Sequence, residues 1–349
     1  MDFRSDNTAG ISPPILAALG AANTGTAAAY GEDDLSRAIE ARIGEVFECD
    51  AAVFLMATGT AANAVALAAM TPPWGAVFCH PQAHVNLDEC GAPEFYTGGA
   101  KLMVLPDREG KIAIADIEAA RARLIHGVHN AQPAAISLSQ AAETGRVYAP
   151  DELRAFADYA HERGLRLHVD GARFANALVG LGCTPAEASW KAGVDVLCFG
   201  ASKNGAFAAE AIVCFDPALA ETIAFRRKRG GHLFSKMRFL AAQFDAYLAD
   251  DLWLENARHA NAMAARLADG LAAVSGARLA YPREANEVFV ELPPAIIAGL
   301  EADGAQFYRW GGAESPVLRL VCAFDTEPAA VDGFIASAKA HADGAGQAG

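Results

Sequence analysis

FGASKNGA, residues 199–206, sets a single lysine in a run that otherwise carries no charge; from Val196 to Ala209 the only other ionisable side chain is Cys198. An ammonium in apolar surroundings must reach water, find a partner or give up its proton. A second group stands in LRLHVDGARFANA, residues 165–177, where an apolar strand runs into Asp170, Gly171 and Arg173. Asp170 and Lys203 are separated by roughly the length of one strand–helix–strand unit, so their strands can be neighbours. Alone, the two read as a plain ion pair at the carboxyl ends of strands, where an α/β sheet presents its ligand crevice. ATGTAANA, residues 57–64, adds a turn in which Gly59 and Thr60 would aim backbone N–H groups and a hydroxyl at an anion. It matches neither G-x-x-x-x-G-K-[ST] nor G-x-G-x-x-G, so it is not a nucleotide loop or a dinucleotide fingerprint. His84, in HPQAHVNLDECG, could lie over a flat ligand or be a satisfied, half-buried histidine. A phosphate cup, a strand-end carboxylate, an embedded lysine and a stacking ring are together what pyridoxal phosphate requires. The acid keeps the pyridine nitrogen protonated, and the lysine condenses with the aldehyde. Lys203 is therefore expected to lose its charge by becoming the cofactor's attachment point.

Positioning these groups needs an alternation of strands and helices. Strands are expected at 52–56, 76–79, 101–105, 134–139, 166–169, 195–199 and 211–215. Helices are expected at 60–70, 114–124, 150–163 and 185–191, with a helix or turn at 84–92. Short apolar strands between amphipathic helices indicate an α/β fold, a mostly parallel sheet covered on both faces. The pattern changes near residue 245. A long helix over 250–274, strands at 287–292 and 317–323 and a helix at 328–342 read as a smaller α+β lobe.

The formal charge of −14, from 42 acids against 28 bases, argues against a nucleic-acid partner and suits a small-molecule one. Seven scattered cysteines without a C-x-x-C pair read as thiols in a reducing compartment. Met1 is followed by DFRSDN rather than an apolar leader, which points to the cytoplasm. Residues 51–79 carry no Asp, Glu, Lys or Arg and are long enough to span a bilayer. Thr58-Gly59-Thr60, Asn63 and Pro72-Pro73 interrupt them and no basic anchor flanks them, so a buried strand, turn and helix are expected instead. His80 and His84 with Asp88 invite a metal reading, but Pro81 follows His80 and H-E-x-x-H is missing. No metal is expected.

FRSDNTAG (3–10), YGEDD (30–34), ATGTAAN (57–63), AHVNLDECGAP (83–93), LHVDGARFANA (167–177), FGASKNGA (199–206), KMRF (236–239) and RLVCAFDT (319–326) occur in this order. With them the chain resembles the low-specificity L-threonine aldolases, pyridoxal-phosphate enzymes of the aspartate aminotransferase-like fold (fold type I). The resemblance covers nearly the whole chain. It implies a large cofactor domain over 21–245 with a seven-stranded-type sheet, a small C-terminal domain over 246–349, and an N-terminal segment, 1–20, associated with the small domain. It implies that Lys203 carries the cofactor, Asp170 pairs with the pyridine nitrogen, His84 stacks on the ring, and Arg173 lies beside the 3-oxygen and substrate carboxylate. Gly59, Thr60 and Asn63 would hold the phosphate region; Ser5 and Arg319 would bind the substrate carboxylate, with Tyr30 among the substrate contacts. Lys228 and Arg238, in the basic run 225–238, would reach a neighbouring subunit's phosphate, so a homo-oligomer, a dimer of dimers, is implied. The reaction implied is retro-aldol cleavage of threonine, allo-threonine and related β-hydroxy-α-amino acids to glycine and an aldehyde. A β-eliminating lyase of the same fold is the nearest rival; a non-catalytic cofactor-binding or regulatory protein is the rival of another class. One departure stands out. Where many relatives carry a histidine in T-H-N-G, this chain has AETG, 142–145. Glu143 is then either a substrate-hydroxyl contact or an exposed loop residue, with His84 the alternative base and phenylserine-like substrates a further expectation.

Overall fold

The computed structural model describes residues 1–347. Its large sheet has seven strands: β1 (Ala52–Met56), β2 (Gly75–Cys79), β3 (Lys101–Val104), β4 (Gln132–Ser139), β5 (Arg166–Gly171), β6 (Val196–Gly200) and β7 (Glu210–Cys214). They lie in the order β1-β7-β6-β5-β4-β2-β3, all parallel except β7, which pairs antiparallel with β1 and β6. β2, β6 and β7 are buried at every position. Such strands read as continuous apolar runs because helices cover both faces.

The helices preceding and crossing this sheet are α1 (Pro13–Ala22), α2 (Asp34–Val46), α3 (Gly59–Met70), α4 (His84–Leu87), α5 (Ala92–Thr97), α6 (Ile114–Arg121), α7 (Pro150–His161), α8 (Phe174–Leu181), α9 (Pro217–Arg229) and α10 (Arg238–Leu248). Residues 51–79 thus form β1, α3 and β2, and among the described residues no helix is long and apolar enough to cross a membrane. One face of the sheet packs Met56, Cys198 and Ile212 against Ala62, Val65 and Ala66 of α3 and Ile223 of α9. On the opposite face Phe199 meets the rings of Phe47, Phe174, Phe244 and Trp253 at 5.5–6.1 Å.

A long helix, α11 (Leu252–Ala272), leads into the second sheet. Its strands are β8 (Arg278–Leu279), β9 (Glu287–Glu291), β10 (Tyr308–Arg309) and β11 (Val317–Val321), antiparallel in the order β10-β11-β9-β8, with α12 (Pro294–Ala302) and α13 (Pro328–Gln347) alongside. This sheet has its own core around Phe334, Leu267, Val290 and Leu320, which Phe3 joins from the N-terminus. Phe3 N–H donates to Gln306 O and Phe3 O accepts from Val321. Only the first few residues join the small sheet, however. α1 packs on α10 of the large unit, so the expected N-terminal attachment is shorter than residues 1–20.

One expected element differs. The helix expected at 185–191 is a series of turns closed by a single 3-10 turn at Trp190–Ala192. Trp190 Nε1 donates to Phe47 O at 2.6 Å, and Gly193 (φ +90°) passes so near Ala157 that a Cβ would come within 2.5 Å of it. The helix lies earlier, as α8 directly after β5, and ends at Gly182 in the left-handed conformation.

Phe199 sits four residues before Lys203 and is fully buried among aromatic rings. Truncating it to alanine leaves a large void and is expected to cost about 3–5 kcal/mol. Denaturant unfolding of Phe199→Ala checks this; a loss below 1 kcal/mol contradicts the role assigned to that ring cluster.

Candidate active site

Every strand-end turn that carries a sequence-expected group opens on the same end of the large sheet. β1 runs into Gly59 at the start of α3, β2 into His84, β4 into Glu143, β5 ends at Asp170-Gly171 and β6 leads to Lys203. Gly59, Thr60, Asn63, His84, Asp170 and Lys203 line one cavity of about 310 Å³, together with Asn7, Ser202 and Glu210, which the sequence reading did not include. A larger groove of about 750 Å³ lined by Phe95, Tyr96, Phe225, Arg226 and Arg229 offers neither a lysine nor a carboxylate for such chemistry.

The lysine turn is clamped from several sides. Asn204 Nδ2 donates to Tyr247 Oη (2.9 Å) and Trp253 O (2.8 Å), while Asn256 Nδ2 donates to Asn204 O at 2.9 Å. Ser12 N–H donates to Gly205 O at 2.8 Å. Gly205 takes φ +110°, and a Cβ there would come within 2.9 Å of Ser12 Cβ, so glycine is required twice over. Lys203 itself is held below the usual lysine range, first by burial and then by the Arg173 guanidinium; Asp6, Asp170 and Glu287 pull against this.

Asp170 accepts from Ala172 N–H (3.0 Å) through one oxygen and from Asn63 Nδ2 (2.9 Å) through the other. The same Asn63 amide donates to Glu89 Oε1 at 2.8 Å. Asn63 was expected at the phosphate. It is instead spent on two carboxylates one helical turn further in, and its buried Oδ1 has no partner. His84 Nδ1 lies 2.8 Å from the same Glu89 oxygen, and its backbone N–H donates to Glu143 Oε1 at 2.8 Å. The Glu89 contact raises the His84 pKa against the opposing effect of burial. Burial raises the Glu89 carboxyl in turn.

Glu143 is not an exposed loop residue. Its Oε1 also accepts from Ser139 Oγ at 2.7 Å, its Oε2 is buried without a partner, and burial pushes its carboxyl above the ordinary range. Arg173 is bidentate to Asp6, Nε to Oδ2 at 2.7 Å and Nη2 to Oδ1 at 2.9 Å. Burial would raise Asp6, but the guanidinium outweighs it and holds the carboxyl low. Glu287, fully buried on β9, stands 3.7 Å from Arg173 and accepts from Arg319 Nη2 at 2.6 Å. Arg173 Nη1 makes no hydrogen bond among the described residues, and Arg319 Nη1 has only a 3.5 Å contact with Arg4 O. Ser5 accepts from Asn7 N–H and caps a short turn beside Asp6.

Three expected residues lie elsewhere. Lys228 is exposed, 4.3 Å over the Tyr30 ring. Tyr30 N–H donates to Ser235 O, and Arg238 Nη1 donates to Thr24 O. Tyr30, Lys228 and Arg238 form a surface group and do not line the Lys203 cavity of their own chain. Of the groups missed, Glu210 carried a readable signal: it is a lone acid in an apolar run, as Lys203 is a lone base. Asp6 and Glu287 carried none, because their partners lie far off in the chain.

These residues fit pyridoxal phosphate. The first N–H groups of α3 have no partner within the helix, Ser202 adds a hydroxyl, Asp170 ends a strand, His84 offers a ring, and the lysine amine is biased toward neutrality.

Residues 2–293 match the family described as Beta-eliminating lyase. A low specificity L-threonine aldolase of Pseudomonas aeruginosa is 46% identical over 93% of both chains, and one of a Pseudomonas species is 43% identical over 97% of both. A solved threonine aldolase of Leishmania major superposes with a TM-score of 0.91 at 32% identity, covering 98% of this chain and 99% of that one. A serine palmitoyltransferase solved with pyridoxal phosphate shares the fold at a TM-score of 0.74 and 16% identity, over 99% of this chain and 88% of that one.

Proposed function

The chain belongs to the beta-eliminating lyase family, among its low specificity L-threonine aldolases, and on that premise we propose how its own residues cleave a β-hydroxy-α-amino acid. The protein is a pyridoxal-phosphate-dependent lyase that converts threonine to glycine and an aldehyde. When bound, the cofactor supplies an aldehyde for the amine and a conjugated ring that accepts the electron pair of the broken Cα–Cβ bond. Lys203 would hold it, Asp170 would keep the pyridine nitrogen protonated, and His84 would offer its ring as a stacking face. The N–H groups of Gly59 and Thr60, with the Ser202 hydroxyl, take the phosphate.

Arg173, Arg319 and Ser5 orient the substrate carboxylate, which decides which bond at Cα lies parallel to the ring's π system. The free Nη1 of Arg173 is the donor that supports this reading. Tyr30, Lys228 and Arg238, apart from their own cavity, complete the site of a second copy, so the active form is at least a dimer. The chain divides near residue 245 into a large and a small unit, and α11 belongs to both cores, with Trp253 and Ala257 in the large one and Leu267 and Leu271 in the small one.

The proton on the substrate β-hydroxyl goes to Glu143 Oε2. That buried atom has no partner, and burial lifts the carboxyl toward the pKa useful to a base. His84 is the poorer base, since Glu89 occupies its Nδ1 and favours its protonated form.

The observation that carries the function is the biased-neutral Lys203 opposite Asp170 in one cavity. Threonine incubated with the purified enzyme should give glycine and acetaldehyde in equal amounts; ammonia instead of glycine would mark an eliminating lyase. Mixed oligomers of Lys203→Ala and Arg238→Ala chains should recover activity that neither shows alone. Verified hybrids without recovery would count against the cross-subunit site. Glu143→Gln should lower kcat for threonine and phenylserine by about 10²–10⁴-fold. A carboxylate base works ionised, so wild-type kcat rises as pH passes upward through the raised Glu143 pKa, and the variant loses that limb. A variant that matches wild type on both substrates makes Glu143 a structural residue.

A further inference from the structure

A carboxyl group stands where the cofactor's phosphate would be held. Glu210 opens β7, the one reversed strand, so it lies beside the carboxyl ends of the neighbouring strands: it pairs with Met56 of β1 and with Gly200 of β6. It lines the Lys203 cavity with Gly59, Thr60 and Ser202 and is 5% exposed. Gly200 makes room for it, since a Cβ there would come 3.0 Å from Glu210 Oε2 and 2.8 Å from Ala172 Cα. Among the described residues Lys203 is the only lysine or arginine lining this cavity, and its amine is the group that condenses with the cofactor.

An ionised carboxylate beside a bound phosphate would set two anions together in a buried site, and one of them must then carry a proton. The groups around Glu210 do little to prevent this. Ser202 favours its ionised form, Lys203 and Asp170 act on it with opposite sign, and Cys198 and Tyr247 lie near it. β1 presents Met56, α3 has no ionisable residue, and α9 contributes Leu219 and Ile223 to the apolar cluster under β7.

We propose that Glu210 is a phosphate-binding residue that acts in its acid form: its carboxyl O–H donates to a phosphate oxygen, and phosphate binding takes up one proton from solvent. No bond other than O–H forms. Burial, against the opposing pull of Ser202 and Lys203, already pushes this carboxyl up to about 7, and a neighbouring anion raises it further. The sign follows: below that pKa the donor is in place, and above it the carboxylate repels the phosphate until a proton is recruited. The inference rests on the reading of Gly59, Thr60 and Ser202 as the phosphate site.

The test compares pyridoxal phosphate with pyridoxal, which shares the Lys203 chemistry but lacks the phosphate, in binding to apoenzyme from pH 6 to 9. The ratio of the two affinities reports the phosphate alone. In wild type it should fall by about tenfold per pH unit above the Glu210 pKa, the slope for one coupled proton. Glu210→Gln, whose amide donates without titrating, should keep a high ratio with no such fall and bind pyridoxal phosphate more tightly than wild type at pH 8.5. Titration calorimetry of wild type with sulfate, a dianion throughout this range, in two buffers of different ionisation enthalpy should show uptake of about one proton at pH 8. A phosphate advantage with the same pH slope in both proteins, or sulfate binding without proton uptake, overturns the role of Glu210. Pyridoxal phosphate binding no better than pyridoxal at any pH overturns the phosphate reading itself.

Discussion

A lysine amine deep in a protein is easier to keep neutral than charged, and this site is arranged around that fact. Burial and the Arg173 guanidinium depress Lys203, while Asp6, Asp170 and Glu287 pull it back. The balance depends on Arg173 staying cationic and fixed. Asp6 holds it through two hydrogen bonds, from a segment 167 residues away in the chain. Glu287 then ties the same cluster to Arg319 on the small sheet. Lys203, Arg173, Arg319 and the junction of the two sheets therefore share one electrostatic network. Breaking a buried member leaves its partner uncompensated, which typically costs about 3–5 kcal/mol.

The sheet order delivers the groups to that network. Parallel strands present their carboxyl ends at one edge of the sheet, which gathers Gly59, His84, Glu143, Asp170 and Lys203 although some 145 residues of chain separate the first from the last. Reversal of β7 brings the amino end of a strand to the same edge, and with it Glu210. Four of the groups gathered here are carboxyls (Glu89, Glu143, Asp170 and Glu210), and Asn63 and His84 join two of them by hydrogen bonds. Asn63, Glu89, Glu143 and Glu287 each keep one buried oxygen without a partner, and Asn63 lines the Lys203 cavity itself.

Much of this was legible from local pattern. Lys203 was visible because it is alone in an apolar run, and Asp170 because it ends one; the pairing of β5 with β6 follows from their spacing. What escaped were features made by the third dimension. Asn63 lies in a loop-to-helix turn whose sequence reads as a phosphate cup, yet its amide meets Glu89 and Asp170 from distant segments. Glu143 sits among small and polar residues, AETG, which left a substrate contact and an exposed loop residue equally open, and only the folded chain shows Ser139 and the His84 N–H closing over it. The helix expected at 185–191 had a proline and an acid at its start, but contact with Phe47 and Ala157 leaves space for turns only.

The central claim is that burial and the Arg173 guanidinium hold the Lys203 amine below the ordinary lysine range before any ligand binds. An NMR titration of the Lys203 amino group in apoenzyme carrying isotope-labelled lysine tests it directly, with Lys203→Arg identifying the signal. The account predicts a midpoint below the ordinary lysine value of 10.5. A midpoint at or above that value would mean that Asp6, Asp170 and Glu287 outweigh burial and Arg173, and would contradict it.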